Sequence, residues 1–138
     1  MIFKLNFDSS TPIYVQLRNQ IVMGIGLGDL KPDENLPTVR QLAEDIGVNA
    51  MTVNKAYTIL KNEGFISINR RHGAKVKVLT TNNTDFCEKL EEELALVISE
   101  AGLKGVSKTD FINICNKLFN EMNGIKGLIN PTLNIDTI

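Results

Sequence analysis

At 138 residues, with 43% hydrophobic residues and a formal net charge of −1, the chain has room for one moderate domain or a small domain with a helical appendage. No run nears the roughly 18 apolar residues of a membrane span, and Met1-Ile2-Phe3-Lys4 opens no secretory leader, so a cytoplasmic protein is expected. Charge is unevenly placed: residues 37–77 hold seven bases (Arg40, Lys55, Lys61, Arg70, Arg71, Lys75, Lys77) and three acids, a local +4, whereas 81–123 hold four bases and eight acids, a local −4. One part is suited to meet phosphate and the other is not. The two cysteines, Cys87 and Cys115, form no CxxC pair and read as small buried hydrophobes of a reducing compartment.

Asp8-Ser9-Ser10-Thr11-Pro12 supplies cap-forming residues and a proline for the first helical position. Ile13, Leu17, Ile21 and Ile25 follow at four-residue spacing, which predicts a helix with one buried stripe. Gly24, Gly26 and Gly28 loosen and end it. This glycine run is no phosphate loop, because it lacks the Lys-Ser/Thr pair and follows a helix instead of a strand. Residues 28–33 read as a turn-rich connection.

Thr38 and Gln41 form a capping box that opens a short helix burying Val39, Leu42, Ala43 and Ile46, and Gly47 is its left-handed stop. Asn49 caps the next helix, where Val53, Ala56, Tyr57 and Leu60 occupy i, i+3, i+4 and i+7 up to Gly64. Two short capped helices around one glycine corner make a helix-turn-helix, whose second helix is built to enter a DNA major groove. Residues 65–68 and 74–78 then alternate with period two around Asn69-Arg70-Arg71-His72-Gly73, predicting a β-hairpin with a basic tip. A helix-turn-helix followed by such a hairpin is a winged helix, so the expected class is α+β, mainly α.

Residues 80–84 are a polar linker. Two amphipathic helices follow. The first, over about 85–101, is expected to bury Phe86, Leu90, Leu94 and Ile98; the second, over about 108–122 and capped by Ser107, is expected to bury Phe111, Ile112, Cys115, Leu118, Phe119 and Met122. Two helices make a poor core alone, so they are expected to pack on a second copy of themselves. The expected organisation is a winged helix over 1–79, then linker, helical dimerisation unit and tail over 80–138. The tail, 123–138, has no assignable element.

DNA reading needs charge for phosphates and short polar groups for base edges. The N-terminal end of the second helix offers Asn49, Ala50, Met51, Thr52, Asn54 and Lys55. Asn54 can pair bidentately with adenine, Ala50 and Met51 suit a thymine methyl, and Thr52 and Lys55 suit phosphates. Asn49 divides between helix cap and base contact. Arg40 can reach the backbone or a guanine, and Arg70, Arg71 and His72 suit a minor groove or its phosphates. A winged helix that binds protein instead of DNA is the alternative. An enzyme is disfavoured: there is one histidine, no nucleophile elbow, no metal cluster and no implied cofactor.

Pro12-Ile13-Tyr14-x-Gln16-Leu17, Gly28-Asp29-Leu30-Lys31-Pro32, Leu36-Pro37-Thr38-x-Arg40-x-Leu42-Ala43 and Thr52-Val53-x-Lys55-Ala56-Tyr57-x-x-Leu60-x-x-Glu63-Gly64 together resemble the DNA-binding domain of the GntR family of bacterial transcription regulators. The Lys-Ala-Tyr ending and short helical pair resemble its YtrA subfamily, with a two-helix dimerisation unit in place of a large effector domain. The resemblance implies a homodimeric repressor on a palindromic operator, with contact roles at Arg40, Thr52 and the His72-Gly73 wing tip. The chain departs from the family where Ala50 and Asn54 stand at positions often held by arginine, and where Arg71 and Ala74 replace a wing glycine and threonine. A different operator and a larger wing contribution are expected. Any small-molecule effector, of unknown identity, is expected at the dimer interface or between domains.

Overall fold

A computed structural model of the chain describes residues 3–77 and 84–122, with Thr84 described by its backbone alone. It contains α1 (Ile13–Leu27), α2 (Val39–Ile46), α3 (Ala50–Asn62), β1 (Ile66–Asn69), β2 (Gly73–Val76), α4 (Thr84–Leu103) and α5 (Lys108–Glu121). The first five elements belong to one compact unit and the last two to another. The predicted linker falls almost wholly, and the tail wholly, outside the described residues.

The core belongs to the first unit. Leu17 and Ile21 of α1, Leu42 and Ala43 of α2, and Val53, Ala56, Tyr57 and Leu60 of α3 meet Ile66, Ala74 and Val76 of the hairpin, with Leu30 and Leu36 closing the edge. The four-residue stripe of α1 is buried only at its middle; Ile13 and Ile25 are half-buried. α1 also runs straight through Gly24 and Gly26 and stops at Gly28, which takes a left-handed φ of +89°. Burial of Gly24 on the core side outweighs the poor helix propensity of glycine. Pro12 precedes the helix as its N-cap instead of opening its first turn, and no side chain caps this end.

The polar face of α1 has a role that its period does not announce. The Lys4 amide donates to Gln20 Oε1 at 2.8 Å, and Gln20 Nε2 donates back to the Lys4 carbonyl at 2.6 Å. Gln16 repeats the pairing with Asn6, at 2.8 and 2.9 Å. Four helical residues rise about 6 Å and two extended residues advance about 6.7 Å, so glutamines one turn apart match alternate residues of the chain beside them. This clamp holds the N-terminal segment along α1.

The hairpin pairs Ile66 with Val76 through Asn69 with Gly73, leaving Arg70, Arg71 and His72 as a three-residue tip. Its strands run one residue further toward the tip at both sides than the alternation suggested. The supposed turn-rich connection continues into a third edge: Asp33 N–H donates to the Val76 carbonyl at 2.9 Å, Val76 N–H to Glu34 at 3.0 Å and Leu36 N–H to Ala74 at 2.8 Å. Ile68 does not share the burial of Ile66; it is 44% exposed, since the core does not extend beneath the tip half of the strand.

Tyr57 ties the two helices of the motif to the chain before them, its hydroxyl donating to the Pro37 carbonyl at 2.7 Å. Burial pushes its phenol pKa well above the ordinary value near 10. The folded state therefore holds this proton more tightly, so the stability it contributes is intact below pH ~10 and is lost as pH climbs beyond it. Tyr57→Phe is expected to cost about 1 kcal/mol at neutral pH and to remove this alkaline sensitivity, as urea unfolding at a series of pH values would read. The Arg18–Glu63 pair, at 3.0 Å and about a third exposed on each side, joins α1 to the end of α3; Arg18 also stacks over Phe65. At that exposure the ion pair fixes geometry more than it adds stability.

The second unit differs in kind. α4 and α5 turn at residues 104–107, where Gly105 is left-handed and Ser107 caps α5 by accepting from the Asp110 amide. Within a single chain the residues expected to pack on a second copy stay uncovered. Leu90, Leu94, Ile98, Leu118, Phe119 and Ile112 are 40–53% exposed, Phe86 is 50% exposed, and Phe111, Cys115 and Met122 are half-buried. Cys87 is likewise exposed, not a buried hydrophobe. Two helices meeting at one corner cannot cover their own apolar faces.

Candidate nucleic-acid interface

Local signals build the helix-turn-helix as its spacing demands. Thr38 Oγ1 accepts from the Gln41 amide at 3.1 Å to start α2. Gly47, at φ +71°, turns the chain in a conformation that L side chains rarely adopt. Asn49 Oδ1 then accepts from the Met51 amide at 2.8 Å to start α3. The oxygen of Asn49 is thereby engaged as a helix cap, which is the structural half of its divided reading.

With Val53, Ala56, Tyr57 and Leu60 fully turned into the core, the rotation of α3 is set. Ala50, Met51, Asn54 and Lys55 are exposed in consequence, Met51 at 78%, and Thr52 is half-buried. The Asn54 side chain has no hydrogen-bond partner among the described residues; only its carbonyl is used, by the Thr58 hydroxyl at 2.8 Å. Arg40 is exposed on the first turn of α2 and pairs with no acid among the described residues.

The wing carries its cations openly. Arg70, Arg71 and His72 are exposed at the tip. Asn69 Oδ1 accepts from the Arg71 amide at 2.7 Å, and Gly73 at φ +68° returns the chain into β2. Among the described residues no hydrogen bond or ion pair joins this tip to α3, so the two present separate surfaces of one unit. Sequence spacing missed one partner of the expected contact set: Lys55 Nζ lies 3.9 Å from the centre of the Tyr14 ring. That cation–π contact pre-positions the ammonium group while leaving the side chain exposed. No period links α1 to α3, so nothing local signalled it.

The family profile of the bacterial regulatory proteins, gntR family, matches residues 13–76, from the start of α1 to the end of β2. The HTH-type transcriptional repressor YtrA of Bacillus subtilis is 38% identical over 100 residues, spanning 71% of this chain and 77% of that protein. The chain belongs to the GntR family. The structure of YtrA from Sulfolobus acidocaldarius, a GntR-family transcription factor, is 39% identical with a TM-score of 0.58, over 70% of this chain and 99% of that one. These two relatives place this GntR protein with the YtrA-like members. A Listeria monocytogenes structure described as a transcriptional antiterminator, 24% identical, shares the fold at a TM-score of 0.78 over 86% of this chain and 93% of that one. The GntR chain is thus a DNA-binding transcription regulator with a winged helix-turn-helix, and not an enzyme. Among the described residues no helix is long and apolar enough to cross a membrane.

Proposed function

We propose that the chain is a homodimeric repressor of transcription that grips a palindromic DNA operator in the cytoplasm. The winged helix within 1–79 reads the duplex, and 80–138 joins two copies. The observation that carries this reading is the outward set of α3: a polar, unpaired Asn54 beside Lys55, on a helix whose opposite face is locked in the core. Asn54 reads an adenine edge, and Ala50 and Met51 rest on a thymine methyl. Thr52, Lys55 and Arg40 hold phosphates, while the free edge of Asn49 lies close enough to the helix start to join them. Arg70, Arg71 and His72, presented by the turn at Gly73, engage the minor groove or its phosphates. The repressor sign is supported by the B. subtilis relative YtrA, itself a transcriptional repressor.

Dimerisation is supported by the apolar faces of α4 and α5. Leu90, Leu94, Ile98, Leu118 and Phe119 are 40–53% exposed in one chain, with Phe86, Phe111 and Cys115 alongside, and clustered exposed apolar side chains of this kind mark interaction surfaces. A second copy of the same pair offers a matching face. Two heads so joined would engage half-sites about one helical turn apart.

A gel shift with duplex from upstream of the chain's own gene, run across a salt series and followed by footprinting, tests this. The expected result is a protected inverted repeat whose affinity falls steeply with salt. No salt-sensitive shift on upstream or random duplex would overturn it in favour of a protein-binding winged helix. Within this reading, Arg71→Ala is expected to weaken operator binding and reduce the log–log salt slope by about one, the loss of one phosphate contact. An unchanged slope would remove the wing from the interface.

A further inference from the structure

The first unit contains a cavity of about 630 Å³, within the range that holds small organic ligands. Its floor is apolar and buried: Ile21, Leu42 and Tyr57 are at most 2% exposed. One wall is the N-terminal segment, which turns Phe3, Leu5 and Phe7 toward the cavity. These are the residues alternating with Lys4 and Asn6, whose backbones Gln16 and Gln20 hold, so the glutamine clamp fixes this wall in register. The polar lining is Asn35, Glu34 and Asp45; Glu34 is half-buried and Asp45 exposed, so the carboxylates stand where the cavity meets solvent. Neither carboxylate has a hydrogen-bond or ion-pair partner among the described residues, and no basic side chain lines the cavity.

A largely apolar hollow, open to solvent on one side, with two unanswered negative charges at its edge selects an occupant of opposite charge. We propose that this cavity binds a small organic cation with an apolar body, an aryl- or alkylammonium compound. Its body packs against Phe3, Leu5 and Leu42, and its ammonium group lies toward Glu34 and Asp45. An anion of the same shape is repelled by both carboxylates, and a neutral one gains burial without charge pairing. The site lies inside the winged-helix unit, instead of at a dimer interface or between domains. Its lining includes Leu42, Asp45 and Ile46 of α2 and Tyr57 of α3, the two helices of the DNA-reading motif.

The test uses the isotope-labelled full chain without DNA, titrated by NMR with phenylbutylamine and with phenylbutyrate, which share a body and differ in charge. The expected result is saturable shifts centred on Phe3, Leu5, Phe7, Leu42 and Ile46 with the amine, and affinity for the carboxylate lower by about tenfold or more. The double variant E34Q/D45N is expected to lose that preference while keeping the dispersed spectrum of the folded protein. The single variants E34Q and D45N serve if the pair together disturbs folding, each reducing the preference. Equal affinity for the two probes, saturable shifts centred elsewhere, no saturable shifts, or a preference that survives neutralisation overturns the proposal. Binding is read in the absence of an operator, so this outcome is independent of the DNA-recognition reading.

Discussion

Leu94→Asp or Leu118→Asp is expected to convert the proposed dimer to monomers and to weaken binding to a two-half-site operator by about 10²-fold or more, with single half-site binding nearly unchanged. Both leucines sit on the apolar faces of α4 and α5, 41% and 45% exposed in one chain. In a dimer they are covered, and a carboxylate there must be desolvated without a partner, at a cost of several kcal/mol per copy. A two-fold assembly would apply that cost twice. The heads should be untouched, because every buried apolar residue among the described residues lies between Leu17 and Val76. Each monomer then meets its half-site alone, without the effective concentration that linkage supplies. Sedimentation measures the first effect; gel shifts on full and half operators measure the second. A dimer that survives both substitutions would defeat the assignment of this face.

The contrast between the two units explains what could be read from sequence. The helix-turn-helix was legible because its instructions are local: Thr38 and Asn49 cap, Gly47 turns, and Val53, Ala56, Tyr57 and Leu60 repeat with the helical period. The wing was legible for the same reason, apart from one residue of register at each strand. Contacts between residues distant in the chain were not. Nothing local announces that 33–36 pairs with β2, that Gln16 and Gln20 grip the N-terminal segment, or that Tyr14 carries Lys55. Gly24 and Gly26 misled in the opposite direction, since propensity argued for a break where burial keeps the helix whole. In α4 and α5 the period marks an apolar face but not what covers it. The cavity escaped for a related reason: its walls come from five separate segments, each of which looks like ordinary core or loop.

Asn54→Ala and Lys55→Ala should fail in opposite ways, although the residues are adjacent and both exposed on α3. Asn54 is uncharged. Its loss should cost about 1–3 kcal/mol, roughly 10–100-fold, on the native operator, with little loss on an operator altered at the adenine it is proposed to read, and with the salt slope unchanged. Lys55 contributes charge held in place by the Tyr14 ring, 3.9 Å away. Its loss should weaken every duplex alike and lower the salt slope by about one. Tyr14→Leu, which keeps an apolar side chain beside the core but removes the π face, should reproduce part of the Lys55→Ala defect without touching base preference. Measuring the three variants on matched operators at several salt concentrations separates reading from holding. If Asn54→Ala changed the slope, or Lys55→Ala changed base preference, the two roles would have to be exchanged. The sparse arginine on this helix makes the distinction sharper: with Ala50 and Met51 beside it, Asn54 is the one exposed side chain in the first turn and a half of α3 that can both donate to and accept from a single base.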